Sequence, residues 1–165
     1  MIPHAFDYFA PKSLDDALKA IGDGAKPLSG GMSLVPMMKL RLAAPDRVVD
    51  LARLKDLSYV REEGGALHVG ATTTHHDVDT SATARAKCPL LAETAGLIGD
   101  VQIRNLGTMG GSVAHNDPSA DYPAALQALE AQIVLKSAKG ERTVSAADFF
   151  VDTFTTALEI GRAHV

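Results

Sequence analysis

Between Pro11 and Gly22, the apolar residues Leu14, Ala17, Leu18 and Ile21 recur at the spacing of one helix face, and Ser13 stands where a capping hydroxyl belongs. The pattern predicts a short amphipathic helix ending at Gly22. Lys26-Pro27-Leu28 then leads through the polar glycine cluster Ser29-Gly30-Gly31-Met32-Ser33 into an apolar run, Leu34 to Leu42, interrupted only by Lys39 and Arg41, which predicts strand, glycine turn and short helix. Asp46 to Leu51 and Leu67 to Ala71 are rich in β-formers, the second following the turn Glu63-Gly64-Gly65. Thr72-Thr73-Thr74 opens the next helix, and a helical pattern runs from Ala82 to Asp100 with a break at Pro89. A second glycine cluster, Gly107 to Ser112, reads as a loop; a proline- and aspartate-rich stretch then leads into Tyr122 to Leu129. Gln132 to Lys136 and Glu141 to Val144 flank Lys139-Gly140 as a hairpin. Ser145-Ala146-Ala147-Asp148 resembles a capping box with Asp in place of Glu.

These elements give an α+β fold, βαβ-like in its first half and, in its second, an antiparallel sheet with helices. A boundary between subdomains falls near Leu57 to Arg61. With 165 residues and 46% hydrophobic content the chain suits one globular unit or two small subdomains. A formal net charge of -4 offers no long-range attraction for phosphate backbones or anionic lipid, so neither nucleic acid nor a membrane surface is expected as a partner. No apolar run approaches the roughly 20 residues of a spanning helix, and the start, Met1-Ile2-Pro3-His4, lacks the features of a signal peptide. The cytoplasm is the expected compartment. Cys88 is the only cysteine, so a cysteine-ligated iron–sulfur cluster cannot be built from this chain. No metal site is expected either: His75-His76-Asp77 places adjacent imidazoles in different directions, which reads as a helix start with solvated histidines.

The pairs Gly30-Gly31 and Gly110-Gly111 each lie beside a hydroxyl residue and an apolar run, the arrangement needed where backbone N–H groups approach a phosphate closely. Neither pair has the G-x-G-x-x-G spacing of a Rossmann turn or the lysine of a Walker loop.

The stretch Ser29-Gly30-Gly31-Met32-Ser33-Leu34-Val35-Pro36-Met37-Met38-Lys39-Leu40-Arg41 resembles the first FAD loop of the molybdenum-hydroxylase flavoproteins, the medium subunits of the xanthine and carbon-monoxide dehydrogenase type. Gln102-Ile103-Arg104-Asn105-Leu106-Gly107-Thr108-Met109-Gly110-Gly111-Ser112 resembles the second loop, and Asn116 to Asp121 the following D-P-x-x-D segment. Phe6-Asp7-Tyr8 with Pro11-Lys12-Ser13 is similar to the amino-terminal pattern of the carbon-monoxide dehydrogenase branch. The resemblance covers residues 1 to 158 and implies a two-subdomain FAD-binding fold of the PCMH/vanillyl-alcohol-oxidase type. Residues 1–57 would form one subdomain and 58–158 the other, with FAD between them.

The flavin contacts that the resemblance implies are Ser29, Gly30, Gly31, Met32 and Ser33 in the first loop and Thr108, Met109, Gly110, Gly111 and Ser112 in the second. The amides of the four glycines would reach the pyrophosphate, and Ser33 and Thr108 would donate from their side chains. Asp121 would accept from the ribose or adenosine side, and Ile103 would lie near the isoalloxazine. Three residues depart from the family pattern: Ser29 stands for the commoner Ala, Met32 for His or Gln, and Ser112 for Asn. Lys39 and Arg41 either screen phosphate charge or are ordinary solvated surface cations, and Arg104 either fixes the second loop or faces a partner.

The implied function is electron transfer, with no catalytic acid or base required of this chain. The molybdenum cofactor is expected on a large partner subunit and 2Fe-2S clusters on a small one, and FAD would pass electrons to an external acceptor. The alternatives are a flavin-free docking module and a stand-alone flavoprotein oxidase. Glu159 to Val165 depart from the family pattern and read as a non-native tail, as from a sequencing adapter, so the chain is expected to be cut before the family's natural end.

Overall fold

Ser13 accepts a hydrogen bond from the Asp16 amide at 3.2 Å and starts the first helix, α1 (Leu14–Gly22), whose Ala17, Leu18 and Ile21 are buried as the spacing requires. A computed structural model describes residues 2–158; the expected tail, 159–165, lies outside them. Before α1 runs β1 (Asp7–Phe9), too short to leave a periodic signal, and after it come β2 (Lys26–Leu28), α2 (Leu34–Lys39) and β3 (Arg47–Asp50). The three strands form a parallel sheet in the order β1-β3-β2. Tyr8 donates from β1 to the Asp50 carboxylate of β3. Strands of three and four residues make few ladder bonds, each worth about 1 kcal/mol net. Burial of the α1 face on Val49, Leu51 and Leu54 contributes more, at about 1.5–3 kcal/mol for each large apolar side chain.

A 3-10 turn, Lys55–Leu57, leads into a second hydrophobic cluster. The hairpin β4 (Val60–Glu63) and β5 (Ala66–Val69) turns at Gly64 and Gly65, whose φ of 60° and 80° suit glycine. Then follow α3 (His75–Thr80), α4 (Ala82–Lys87), α5 (Pro89–Leu97), α6 (Val101–Leu106), α7 (Met109–His115) and α8 (Tyr122–Ala128). Pro89 opens α5 at a position where its missing N–H costs nothing, and this is the break expected there. The hairpin β6 (Gln132–Ser137) and β7 (Gly140–Ser145) has the expected position. Ser145 caps the single turn α9 (Ala146–Phe149), and β8 (Phe150–Asp152) pairs with β9 (Thr155–Thr156).

Two expectations are corrected. Antiparallel pairing among the described residues comes as three two-stranded ribbons rather than one sheet. The second glycine cluster is no loop, because Thr108 caps α7 and so draws Gly110 and Gly111 into its first turn.

The first cluster joins Ala17, Leu18, Ile21, Ala25, Val49, Leu51 and Leu54, with Leu57 packed against it. The second joins residues from Val78 to Phe149, among them Leu91, Val113, Tyr122, Leu126 and Leu135, with Val60 at its edge. Among the described residues no helix is long and apolar enough to cross a membrane.

Candidate functional site

The two glycine clusters meet. Gly30 lies so close to the end of α6 that a Cβ there would stand 2.1 Å from Leu106 O and 2.7 Å from the Gly107 Cα. No side chain fits between these backbones. Beside this contact, Thr108 Oγ donates to Ser29 Oγ at 3.0 Å, a side-chain bond between the two clusters. Ser29 is the residue that stands for the family's commoner Ala, and an alanine could not make this bond.

In the first loop, Gly31 takes a φ of 75°, and the amides of Gly30, Gly31, Met32 and Ser33 make no hydrogen bond to any described residue. Gly30 and Gly31 are half-buried, where an N–H is rarely left without an acceptor, while Met32 and Ser33 are exposed; successive free amides on a glycine turn suit an anion. Ser33 precedes α2 without capping it, so its hydroxyl is free to bond outward. Met32 is exposed at the same turn.

The second cluster is organised differently. The Met109 amide donates to Thr73 O at 2.9 Å, the Gly110 amide to Ala71 O at 2.9 Å and the Ser112 amide to Thr108 O at 3.1 Å. The Gly111 amide donates to Thr108 Oγ at 3.2 Å. The Gly110 and Gly111 amides thus each already have an acceptor within the chain, Ala71 O and Thr108 Oγ. Thr108 likewise gives its one hydroxyl proton to Ser29, which leaves the Ser29 proton as the one able to point outward. Gly111 must still lack a side chain, since a Cβ would meet Thr108 Oγ at 2.8 Å. Met109 packs its side chain on the second core, and Ser112 is half-buried in α7. The first loop thus offers amides, and the second a tightly tied wall.

Ile103, on α6, is half-buried and packs over Gly99, where a Cβ would meet it at 2.9 Å. Asp121 is exposed at the start of α8 and caps nothing. Arg104 donates to Ile98 O at 3.0 Å and Gly99 O at 3.1 Å, so it closes the end of α5 rather than holding the second cluster. Lys39 and Arg41 are exposed, Arg41 with a φ of 62°. His115 stacks at 5.1 Å on Phe154. Cys88 is a half-buried free thiol.

His75 and Tyr122 gave no sign of their role in the sequence pattern. His75 is not solvated: it is only 4% exposed, its Nδ1 lies 3.1 Å from the Tyr122 hydroxyl, and its amide donates to Gly107 O at 3.0 Å. Burial holds this imidazole well below its ordinary value, at about 4, with the nearby Arg104 charge lowering it further and Asp121 opposing. Burial and then the Asp121 carboxylate push the Tyr122 phenol up. The signal available in the sequence was the run Thr72-Thr73-Thr74: short hydroxyl side chains can be satisfied by backbone in a buried place, whereas a surface turn would use Gly, Asn or Asp. Here Thr73 is buried and exchanges two bonds with the Tyr59 backbone, at 2.9 and 3.0 Å.

A mixed helix-and-sheet chain with a paired glycine site is matched over residues 4–162 by the family described as the FAD binding domain in molybdopterin dehydrogenase, and this chain belongs to that family. It is 48% identical over 162 residues to the carbon monoxide dehydrogenase medium chain of Hydrogenophaga pseudoflava, covering 96% of this chain and 56% of that one. Identity to the glyceraldehyde dehydrogenase medium chain of Sulfolobus acidocaldarius is 44% over 158 residues, covering 94% and 56%. The solved structure of Hydrogenophaga pseudoflava carbon monoxide dehydrogenase lacking the Mo-pyranopterin moiety of its cofactor superimposes with a TM-score of 0.96 at 47% identity, over 99% of this chain and 58% of that one. The chain therefore spans a little over half the length of these relatives.

Proposed function

We propose that this chain binds FAD and serves as the flavin-carrying part of a molybdenum-containing hydroxylase or dehydrogenase. The observation that carries the reading is the row of unbonded amides from Gly30 to Ser33, set against a glycine-lined wall that no side chain can enter. The donor chemistry fits a pyrophosphate: successive N–H groups, the free Ser33 hydroxyl and the outward Ser29 proton suit an oxyanion and would not suit an apolar ligand. Asp121, exposed at the start of α8, is the acceptor we assign to the ribose or adenosine side, and Ile103 the apolar contact we assign to the flavin ring.

The PCMH/vanillyl-alcohol-oxidase type of arrangement, with subdomains 1–57 and 58–158 and FAD between them, is our finer reading. Two features support it: one hydrophobic cluster ends at Leu57 while the other begins at Val60, and the two glycine clusters that meet come one from each side of that boundary in the chain. FAD, when bound, supplies an electron relay that no side chain of this chain can supply. The chain's own residues bind it, orient it and exclude competing contacts.

Partner subunits, a large one with the molybdenum cofactor and a small one with 2Fe-2S clusters, belong to the same proposal, as does an external electron acceptor. This chain by itself is expected not to oxidise the complex's substrate. The test is the visible absorbance spectrum and FAD stoichiometry of the purified chain. Close to one FAD per chain is the expected result; a chain that stays colourless after titration with FAD would overturn the reading.

A further inference from the structure

His75 is a buried, uncharged imidazole that the binding of a pyrophosphate does not itself require, yet two of its contacts fall on Gly107 of the second glycine cluster and a third ties it to α8. Its amide holds Gly107 O. Its ring fills the space over Gly107, where a Cβ would stand 2.7 Å from Nε2 and 2.9 Å from Cδ2. Its Nδ1 is fixed by Tyr122 of α8, whose ring lies 5.4 Å away and is fully buried in the second core. Gly107 is the same residue whose Cα abuts Gly30, and the bridge between Thr74 and Thr108 continues the contact by one more residue on each side. The Gly107 backbone is thus gripped between the His75 ring on one side and Gly30 on the other.

We infer that His75 is a positioning residue: anchored by Tyr122, its ring sets the height of the Gly107–Gly110 backbone against the first glycine loop, and through that height the affinity for FAD. The inference rests on the flavin reading proposed above. A side chain that merely filled core volume would influence melting temperature alone. A positioning ring also controls the protection of the Met109 and Gly110 amides that follow Gly107 and, through the wall they belong to, the affinity of a ligand held by the first loop. The charged groups near the ring, Arg104 from α6 and Asp121 before α8, are not bonded to it, so Tyr122 is the partner that fixes its rotation.

The experiment compares the unaltered chain with Tyr122→Phe, which keeps the aromatic volume and removes the hydroxyl, and with His75→Asn, which keeps a polar atom toward Tyr122 and withdraws the ring edge from Gly107. Leu135→Ala, at a buried site on β6 in the same core, controls for simple loss of stability. FAD dissociation constants and hydrogen exchange at the Met109 and Gly110 amides are measured well below each melting temperature. The expected result is an affinity loss of tenfold or more in Tyr122→Phe and His75→Asn, with faster exchange at both amides, while Leu135→Ala melts earlier but binds FAD within twofold of the unaltered chain. FAD binding and amide protection unchanged in both site variants would overturn this inference and leave the flavin reading intact. Failure of the unaltered chain to bind FAD would overturn the flavin reading and this inference with it.

Discussion

A methyl group is the smallest side chain that can be added to a glycine, and at Gly30 it has nowhere to go. Its 2.1 Å approach to Leu106 O can be relieved only by moving one backbone away from the other. Gly30→Ala should therefore part the two clusters, with loss of bound flavin and a stability cost of about 1–3 kcal/mol, the range for overpacking a filled site. Absorbance near 450 nm and urea titration check it, and an alanine variant that retains FAD would show the contact to be dispensable. Ser29→Ala removes the bond to Thr108 at 3.0 Å and the outward hydroxyl proton, and leaves the amides of Gly30 to Ser33 in place. Its expected cost is about 0.5–1.5 kcal/mol of stability, since a neutral hydroxyl pair contributes little more than that, and flavin retention should survive.

At the scale of elements, α7 ends on Asn116, which adopts a left-handed φ of 49° and donates from its side-chain amide to Asp152 O at 2.8 Å and Thr155 O at 3.0 Å. One buried amide thus holds the β8–β9 ribbon to the helix that begins at Thr108. Asn116→Gly keeps the backbone conformation and deletes both bonds, so the ribbon's exchange protection should fall while the α3–α5 helices keep theirs; hydrogen exchange resolved by segment distinguishes the two. Much of this layer is legible in the residues. α1, the α4–α5 break and the β6–β7 hairpin follow from periodicity, a proline and a turn glycine. What stays hidden has a common cause: β1, β8 and β9 run for two or three residues, too few for an alternation to show, and β4, at four residues, falls where the pattern suggests only a boundary. The role expected of the first glycine loop rests on local chemistry, four amides and a hydroxyl in one short segment. In the second cluster the Met109 and Gly110 amides are taken by Thr73 and Ala71, residues more than thirty positions earlier that no spacing within the cluster reveals, and the Gly111 amide by Thr108, three residues before it.

For the molecule as a whole, acid is the condition that tests the hidden imidazole. The folded His75 holds its pKa at about 4, below the ordinary 6.5 of the unfolded chain, so the unfolded state takes up the proton first as pH falls. The neutral ring's contribution is fully present above about pH 6.5 and is lost progressively toward pH 4, by up to about 3 kcal/mol, because each tenfold difference in proton affinity between the two states is worth about 1.4 kcal/mol. Urea unfolding from pH 7.5 to 4 should show this slope in the unaltered chain and a shallower one in His75→Asn; parallel curves would remove His75 from the explanation. The backbone contact at Gly30 carries a different kind of consequence, a genetic one. A clash between side chains can be repaired by trimming a neighbour, because the neighbour has volume to give. Leu106 O and the Gly107 Cα are common to every residue type, so no exchange at positions 106 or 107 makes room for a Cβ at position 30. A search for second-site suppressors of Gly30→Ala should accordingly return true revertants, and few substitutions within the opposing glycine cluster.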